Sequence, residues 1–361
     1  MLSKATGLGA MVMGLLALAG CGSTSVLSSS SSHLAFVSLS SSNMVAAFRV
    51  DNSSGAFTAI VGSPYFGGNS PASIVVHPSN KFVYAVNQLG NSISLFNVDS
   101  SVGSISEVMP RTATGVGPIS MVMNASGTFL FVSNEVSSTI SVYSIDSGSG
   151  ALKQISGSPV STYANPGALA LTPSGAFLYV VNSNLASIVG YTVSSSGGLT
   201  QIGSPFAAGA GPSAIASDPS GKFLYVTNSP VNTLTVFSVQ STGALTTAPG
   251  TPITTGGAPI AVAVAPAGQF VFVANRTSSN MSVYSIDSST GTPTQVTNSP
   301  FTVSTTPAFV RWDPNAKWLY IGSQSANQIL EYTFDSTAFT LLPTAQSAAT
   351  TVTPTSMAVT Q

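Results

Sequence analysis

The chain has almost no charge. Of its 361 residues only nine are Lys or Arg and ten are Asp or Glu, for a net charge of −1. There is no basic stripe and no run that interleaves basic and aromatic residues, which argues against nucleic acid as a partner. Histidine occurs twice, at His33 and His77, and no HxxH or HExxH pattern is present, so neither a transition-metal site nor a cofactor is expected. Cys21 is the only cysteine, which excludes an internal disulfide. No segment keeps a helical period for a useful length, and the uncharged run over 7–20 is too short for a comfortable membrane span. Solubility must come from Ser, Thr, Asn and Gly.

What is present is repetition. Residues 212–228 read PSAIASDPSGKFLYVTN: a strand of small and branched residues, a turn at Asp218-Pro219-Ser220-Gly221, and a second strand ending at Asn228. Proline presets φ inside such a turn, and glycine supplies a positive φ where the strand resumes. The second-strand aromatic recurs as Phe36, Tyr84, Phe131, Tyr179, Tyr225, Phe272 and Tyr320, at steps of 48, 47, 48, 46, 47 and 48 residues. A second series, Phe48, Phe96, Tyr143, Tyr191, Phe237, Tyr284 and Tyr332, has the same steps. Prolines recur at 64, 110, 159, 205, 252, 300 and 343. Four strand-like segments per copy at this period indicate β-propeller blades. The fold class is all-β, a seven-bladed propeller of four-stranded blades.

In each blade, strand A carries small residues, strand B is aromatic and β-branched, and strand C alternates. Strand D is expected to be short and to end at the recurring proline, which cannot donate to a ladder and suits an edge. The first copy begins at strand B, 34–38, with no strand A before it. The last segment, 354–359, is a strand A with no strand B after it. It is expected to complete the first blade and close the ring over residues 33–361. The assembly expected is a monomer.

Residues 1–21 read as a targeting segment, with Lys4 as its charge and small residues before a cut site at Leu18-Ala19-Gly20-Cys21. With cysteine at the cut, this resembles a bacterial lipobox. The resemblance implies cleavage before Cys21, its lipidation, and a membrane anchor in the cell envelope. Gly22 after the cysteine implies the outer membrane, facing the periplasm or the cell surface. Removing this segment leaves eight basic against ten acidic residues. Residues 22–32, GSTSVLSSSSS, have too little apolar area to order themselves and read as a flexible tether.

FLYVTN at Phe223–Asn228, FLYVVN at Phe177–Asn182 and FVFVAN at Phe270–Asn275 resemble the YVTN repeat. With Gly203-Ser204-Pro205-Phe206 and Asp218-Pro219-Ser220-Gly221-Lys222, the pattern is similar to the seven-bladed lactonase-like family, which includes 6-phosphogluconolactonases and muconate-lactonising relatives. The resemblance covers nearly all of the chain beyond the tether. It implies a lactone hydrolase, in which strand A commonly opens Pro-Arg-His. Here the triplets beginning at Pro71, Pro118, Pro166, Pro212, Pro259, Pro307 and Pro354 contain neither Arg nor His. Lactone hydrolysis needs one group to stabilise the carbonyl oxyanion and another to activate water. The family's catalytic residues therefore cannot be carried over, and none is assigned.

His77 occupies a slot that opens the A–B turn and reads as a turn cap; His33 stands alone at the edge of the tether. Asp51, Asp99, Asp146 and Asp287 each open a glycine-ended loop. One carboxylate per loop suits an Asx-type turn, whereas calcium takes about six to eight oxygens with several carboxylates. Charges where the repeat predicts none are more informative. Arg111 follows a recurring proline, and Glu135 and Arg276 share the slot after the strand B asparagine. These emerge on one face, with Tyr65 and Tyr163 nearby. They form a candidate ligand or partner face, against a plain reading as scattered surface charges. Arg311 is a channel outlier, in a strand A slot otherwise Val or Ala, and is expected to be paired because a buried unpaired arginine is costly. The links between the recurring proline and the next strand A are seven or eight residues, eleven in the last, with no lid.

These features read as a lipid-anchored binding or scaffolding module outside the cytoplasm, with a protein or glycan partner. One alternative is a divergent sugar-acid lactonase using Glu135 as base and the arginines as anchors. Another is a surface adhesin or glycan binder.

Overall fold

The computed structural model describes residues 31–303 and 305–361. The targeting segment with Cys21, and the tether as far as residue 30, lie outside the described residues. No helix among the described residues is long and apolar enough to cross a membrane.

Blade five shows how the repeat folds. Strand A is Pro212–Ser217, B is Phe223–Asn228, C is Thr233–Val239 and D begins with Leu245–Thr247, each paired antiparallel with the next. The side chains of a strand point alternately to two faces. Leu224, Val226 and Phe237 pack against Tyr179 and Val181 of blade four, while Tyr225, Leu234 and Val236 pack against Val271, Val273 and Tyr284 of blade six. Both faces are buried, which is why strand B reads as a near-continuous apolar run.

The same arrangement explains the two aromatic series. Each interface takes the strand B aromatic of one blade and the strand C aromatic of the next: Tyr84 with Tyr143, Phe131 with Tyr191, Tyr179 with Phe237, Tyr225 with Tyr284. The pattern continues through Phe272 with Tyr332, Tyr320 with Phe48, and Phe36 with Phe96. Seven blade interfaces hold seven aromatic pairs, so the two series must keep one register.

The inner strands neighbour one another in turn around the ring. Closure is as the orphan strands require: Ser356–Val359 pairs with Ser32–Leu39, with Phe36 opposite Ala358 and Val37 opposite Met357. Ser356–Val359 also neighbours the inner strands of blades two and seven.

Two expectations are corrected. Strand B of blade one begins at Ser32, inside the stretch read as tether, because Ser32 pairs with Asp51. Strand D does not end at the proline. In five blades it resumes as a two-residue piece beyond it, as at Ile253–Thr254, which pairs with strand C. In blades two and seven it runs through the proline as Ile105–Ala113 and Thr340–Ala349, with a register shift against strand C.

Candidate functional site: the central channel

The channel wall is made of the seven strands A. In blades two to six the opening proline faces the strand B asparagine, as Pro212 faces Asn228. A one-residue bulge follows in each of these pairings. The two residues after each opening proline carry no ionisable group.

At the other end the strands A run into the A–B turns. A cavity of about 300 Å³ opens there, lined by Val75, Met121, Val122, Leu171 and Val359 from four blades, with Arg311, His77, Asn80 and Gln361. Arg311 also borders a neighbouring hollow of about 390 Å³. A larger surface hollow of about 550 Å³ lies around Asn124, Ser126 and Ser174, but no ionisable side chain lines it.

Arg311 was expected to have a partner and has none: among the described residues it makes no side-chain hydrogen bond or ion pair. It can lack one because its side chain is open to the channel rather than sealed in the core. Its place within the molecule still desolvates it, which lowers its pKa from the usual arginine value. It remains a cation at neutral pH.

The other polar groups of the cavity are occupied. The Ser79 N–H donates to Nδ1 of His77 (3.1 Å), which leaves the proton on Nε2 to donate to the Gly127 carbonyl (3.0 Å). His77 is thus the turn cap its slot suggests, and it also ties blade two to blade three. Asn80 binds the backbone of Gln361 through both amide atoms.

No hydrogen bond or ion pair joins Arg111, Glu135 and Arg276 of the proposed partner face to one another. Arg111 is held by Glu107, with Nε at 2.6 Å and Nη2 at 2.9 Å from the two carboxylate oxygens, by Ser94 Oγ at 3.1 Å, and over the Phe66 ring. This pairing raises its pKa above the usual arginine value. Glu135 and Arg276 keep equivalent places, their backbone N–H groups donating to Gly117 and Ala258, but no ion pair joins them. The Tyr65 hydroxyl donates to the Val61 carbonyl, and Tyr163 is partly exposed with its carbonyl accepting from Asn182. The same face instead presents exposed apolar side chains from loops of blades two to five: Leu89, Val116, Val136, Leu185 and Val231.

His33 is not alone. It is buried, with Nδ1 2.7 Å from Asn52 Oδ1 and Nε2 3.2 Å from the Tyr320 hydroxyl, and so joins blades one and seven. The loop aspartates cap their turns: Oδ1 of Asp287 accepts from the N–H groups of Ser289 and Thr290 and from both hydroxyls, which hold its pKa at about 2. Among the described residues no group of three or more His, Cys, Asp or Glu could hold a metal ion.

Sequence reasoning missed Glu331. It is 1% exposed, on strand C of blade seven, and Oε1 accepts from Thr344 Oγ1 at 3.0 Å while Oε2 has no partner. Burial pushes its pKa up to about 7. The carboxylate fills the space where a Cβ at Gly55 would stand. The signal was available: the equivalent residues are Ala47, Leu95, Val142, Gly190, Val236 and Val283, none of them polar.

Comparison with solved structures returns the same architecture. A Bacteroides fragilis protein assigned provisionally as a 6-phosphogluconolactonase is 19% identical, covering 92% of this chain and 99% of its own, with a TM-score of 0.80. A counterpart from Bacteroides uniformis with the same provisional assignment is 18% identical over 91% and 99%, with a TM-score of 0.78. A periplasmic gluconolactonase of Pseudomonas aeruginosa is 17% identical over 92% and 99%, with a TM-score of 0.76. At these identities the likeness is one of fold. Comparison with curated proteins gives no match. The model of the family described as Lactonase, 7-bladed beta-propeller matches residues 18–165, 158–260 and 247–359, and with that match the chain belongs to this lactonase family.

Proposed function

We propose that this chain hydrolyses small lactones in its central channel. The observation that carries this reading is the family match across the propeller, and Arg311 supplies the one feature of the channel suited to the chemistry. A lactone carbonyl placed against the guanidinium would have its developing oxyanion stabilised by donors already free of other partners. Water adds to the carbonyl carbon, the ring C–O bond breaks, and the proton passes to the leaving alkoxide to give one hydroxy acid. No Asp or Glu side chain lines the cavity to take the proton of the attacking water, and both nitrogens of His77 are engaged. Turnover on this reading is slow and rises with hydroxide concentration. The test is a panel of aliphatic and sugar-acid lactones with purified protein. Hydrolysis above background that falls about 10²-fold in Arg311→Ala supports it, and no turnover on any lactone overturns it.

A second reading, a binding module, is favoured by the same lack of a base and by the exposed aliphatic loops of blades two to five. In that case a pull-down recovers a partner that is lost on Leu89→Ser with Val136→Ser. Either activity would be held at the cell envelope by lipidated Cys21, a proposal resting on Leu18-Ala19-Gly20-Cys21. Cys21→Ser should move the protein out of the membrane fraction, and unchanged membrane association would count against the anchor.

A further inference from the structure

We propose that the channel end around Arg311 is a binding site for a small aliphatic carboxylate rather than for a polyhydroxylated or phosphorylated acid. Three observations lead there. The first is the slot itself. The other six blades place Val75, Val122, Ala170, Ala216, Ala263 and Ala358 where blade seven has Arg311. An arginine there stands open to the channel and gains no hydrogen bond or ion pair from the described residues, so the fold keeps a charge that adds nothing to its stability. Groups of that kind belong to function.

The second observation is what the cavity offers a ligand. The guanidinium presents a planar fork of donors with no acceptor among the described residues, and this fork matches a carboxylate with two parallel hydrogen bonds. No other cation lines the cavity. One arginine balances one carboxylate, whereas a phosphate ester near neutral pH would keep most of its second charge uncompensated.

The third observation is the wall. Val75, Val122, Met123, Leu171 and Val359 bring aliphatic side chains from blades two, three, four and one. His77 and Asn80 are already committed to Gly127, Ser79 and Gln361. A chain of hydroxyl groups entering here would find, besides Arg311, only the side-chain amide of Gln361 without a partner, while an alkyl chain would lie along the aliphatic wall. The cavity, about 300 Å³, lies at the small end for ligand sites and limits the chain to a short one.

This deepens the channel reading and rests on it for the site, since a group that stabilises a lactone oxyanion also holds the carboxylate that ring opening releases. Binding is measured without turnover, so failure of one leaves the other standing. The experiment is isothermal titration calorimetry of the full chain with valerate, gluconate and 6-phosphogluconate. Valerate should bind more tightly than the other two and more weakly as salt is raised. Arg311→Met should weaken valerate by about tenfold or more, and Arg311→Lys should retain part of the affinity. Melting curves control for folding: Arg311→Met, which removes no hydrogen bond or ion pair, should melt no lower than the parent. Undetectable valerate binding, equal binding in Arg311→Met, or tighter binding of 6-phosphogluconate each overturns the proposal.

Discussion

The asparagine that ends strand B works through both of its amide hydrogens. In blade five, Nδ2 of Asn228 donates to Oγ1 of Thr233 at 3.1 Å and of Thr235 at 3.0 Å, fixing the start of strand C. The link from the previous blade crosses directly over it, and a Cβ at Gly209 would stand 2.5 Å from Asn228 Cγ. Gly209→Ala should therefore cost about 1–3 kcal/mol by overpacking. Asn228→Ala removes both the obstruction and two hydrogen bonds, so the double variant should lose less than the sum of the singles in urea unfolding. Strict additivity would contradict this coupling. Glu331 gives a second test. Its folded pKa of about 7 lies above the usual 4.5, so its favourable contribution is complete at low pH and is lost as pH rises through 7. Glu331→Gln should leave the melting temperature near pH 4 little changed, raise it at pH 8, and flatten the slope between. An unchanged slope would show that the carboxyl titrates normally. The identity of Glu331 as an outlier was legible from the repeat. Its raised pKa was not, because part of the burial that causes it comes from Gly55 of blade one, which meets blade seven only in the closed ring.

The strands were the most legible part of the chain. Strand A of blade six, marked in the sequence by its opening proline and small residues, folds over Pro259–Val264. The aromatic series gave the register of every blade because each slot feeds one interface. The end of strand D is not legible in the same way: a proline reads as a stop, whereas here it sits between two pieces that both pair with strand C. Closure is the element with the largest mechanical consequence. Met357, Ala358 and Val359 are all buried, and their strand completes the inner edge of blade one. Deleting residues 354–361 should cost several kcal/mol, from about 1.5–3 kcal/mol for each large apolar side chain withdrawn from the core. A truncated protein that melts at the parent temperature would show that the strand is dispensable.

For the whole molecule, scarcity of charge has a measurable result. The described residues contain one ion pair, between Arg111 and Glu107, and it lies near the surface. Exposed pairs contribute at most about 1 kcal/mol, so screening has little to remove. Raising sodium chloride from low to near-molar concentration should leave the melting temperature close to constant, and a large fall would reveal electrostatic support not visible in the fold. The candidate site was half legible at this scale. Arg311 stands out against its six counterparts, but its lack of a partner follows from what the other blades bring to the channel, which no single blade encodes. The pairing of Ser32–Leu39 with Ser356–Val359 also fixes an order in time. The two halves of the clasp are the first and last parts of the ring to be synthesised. Until the final strand arrives, blade one has no inner edge and nothing holds the other blades in a circle. An unfinished chain stays loose enough to be threaded or unfolded, and the completed one can come apart only by breaking that clasp or a full interface between blades.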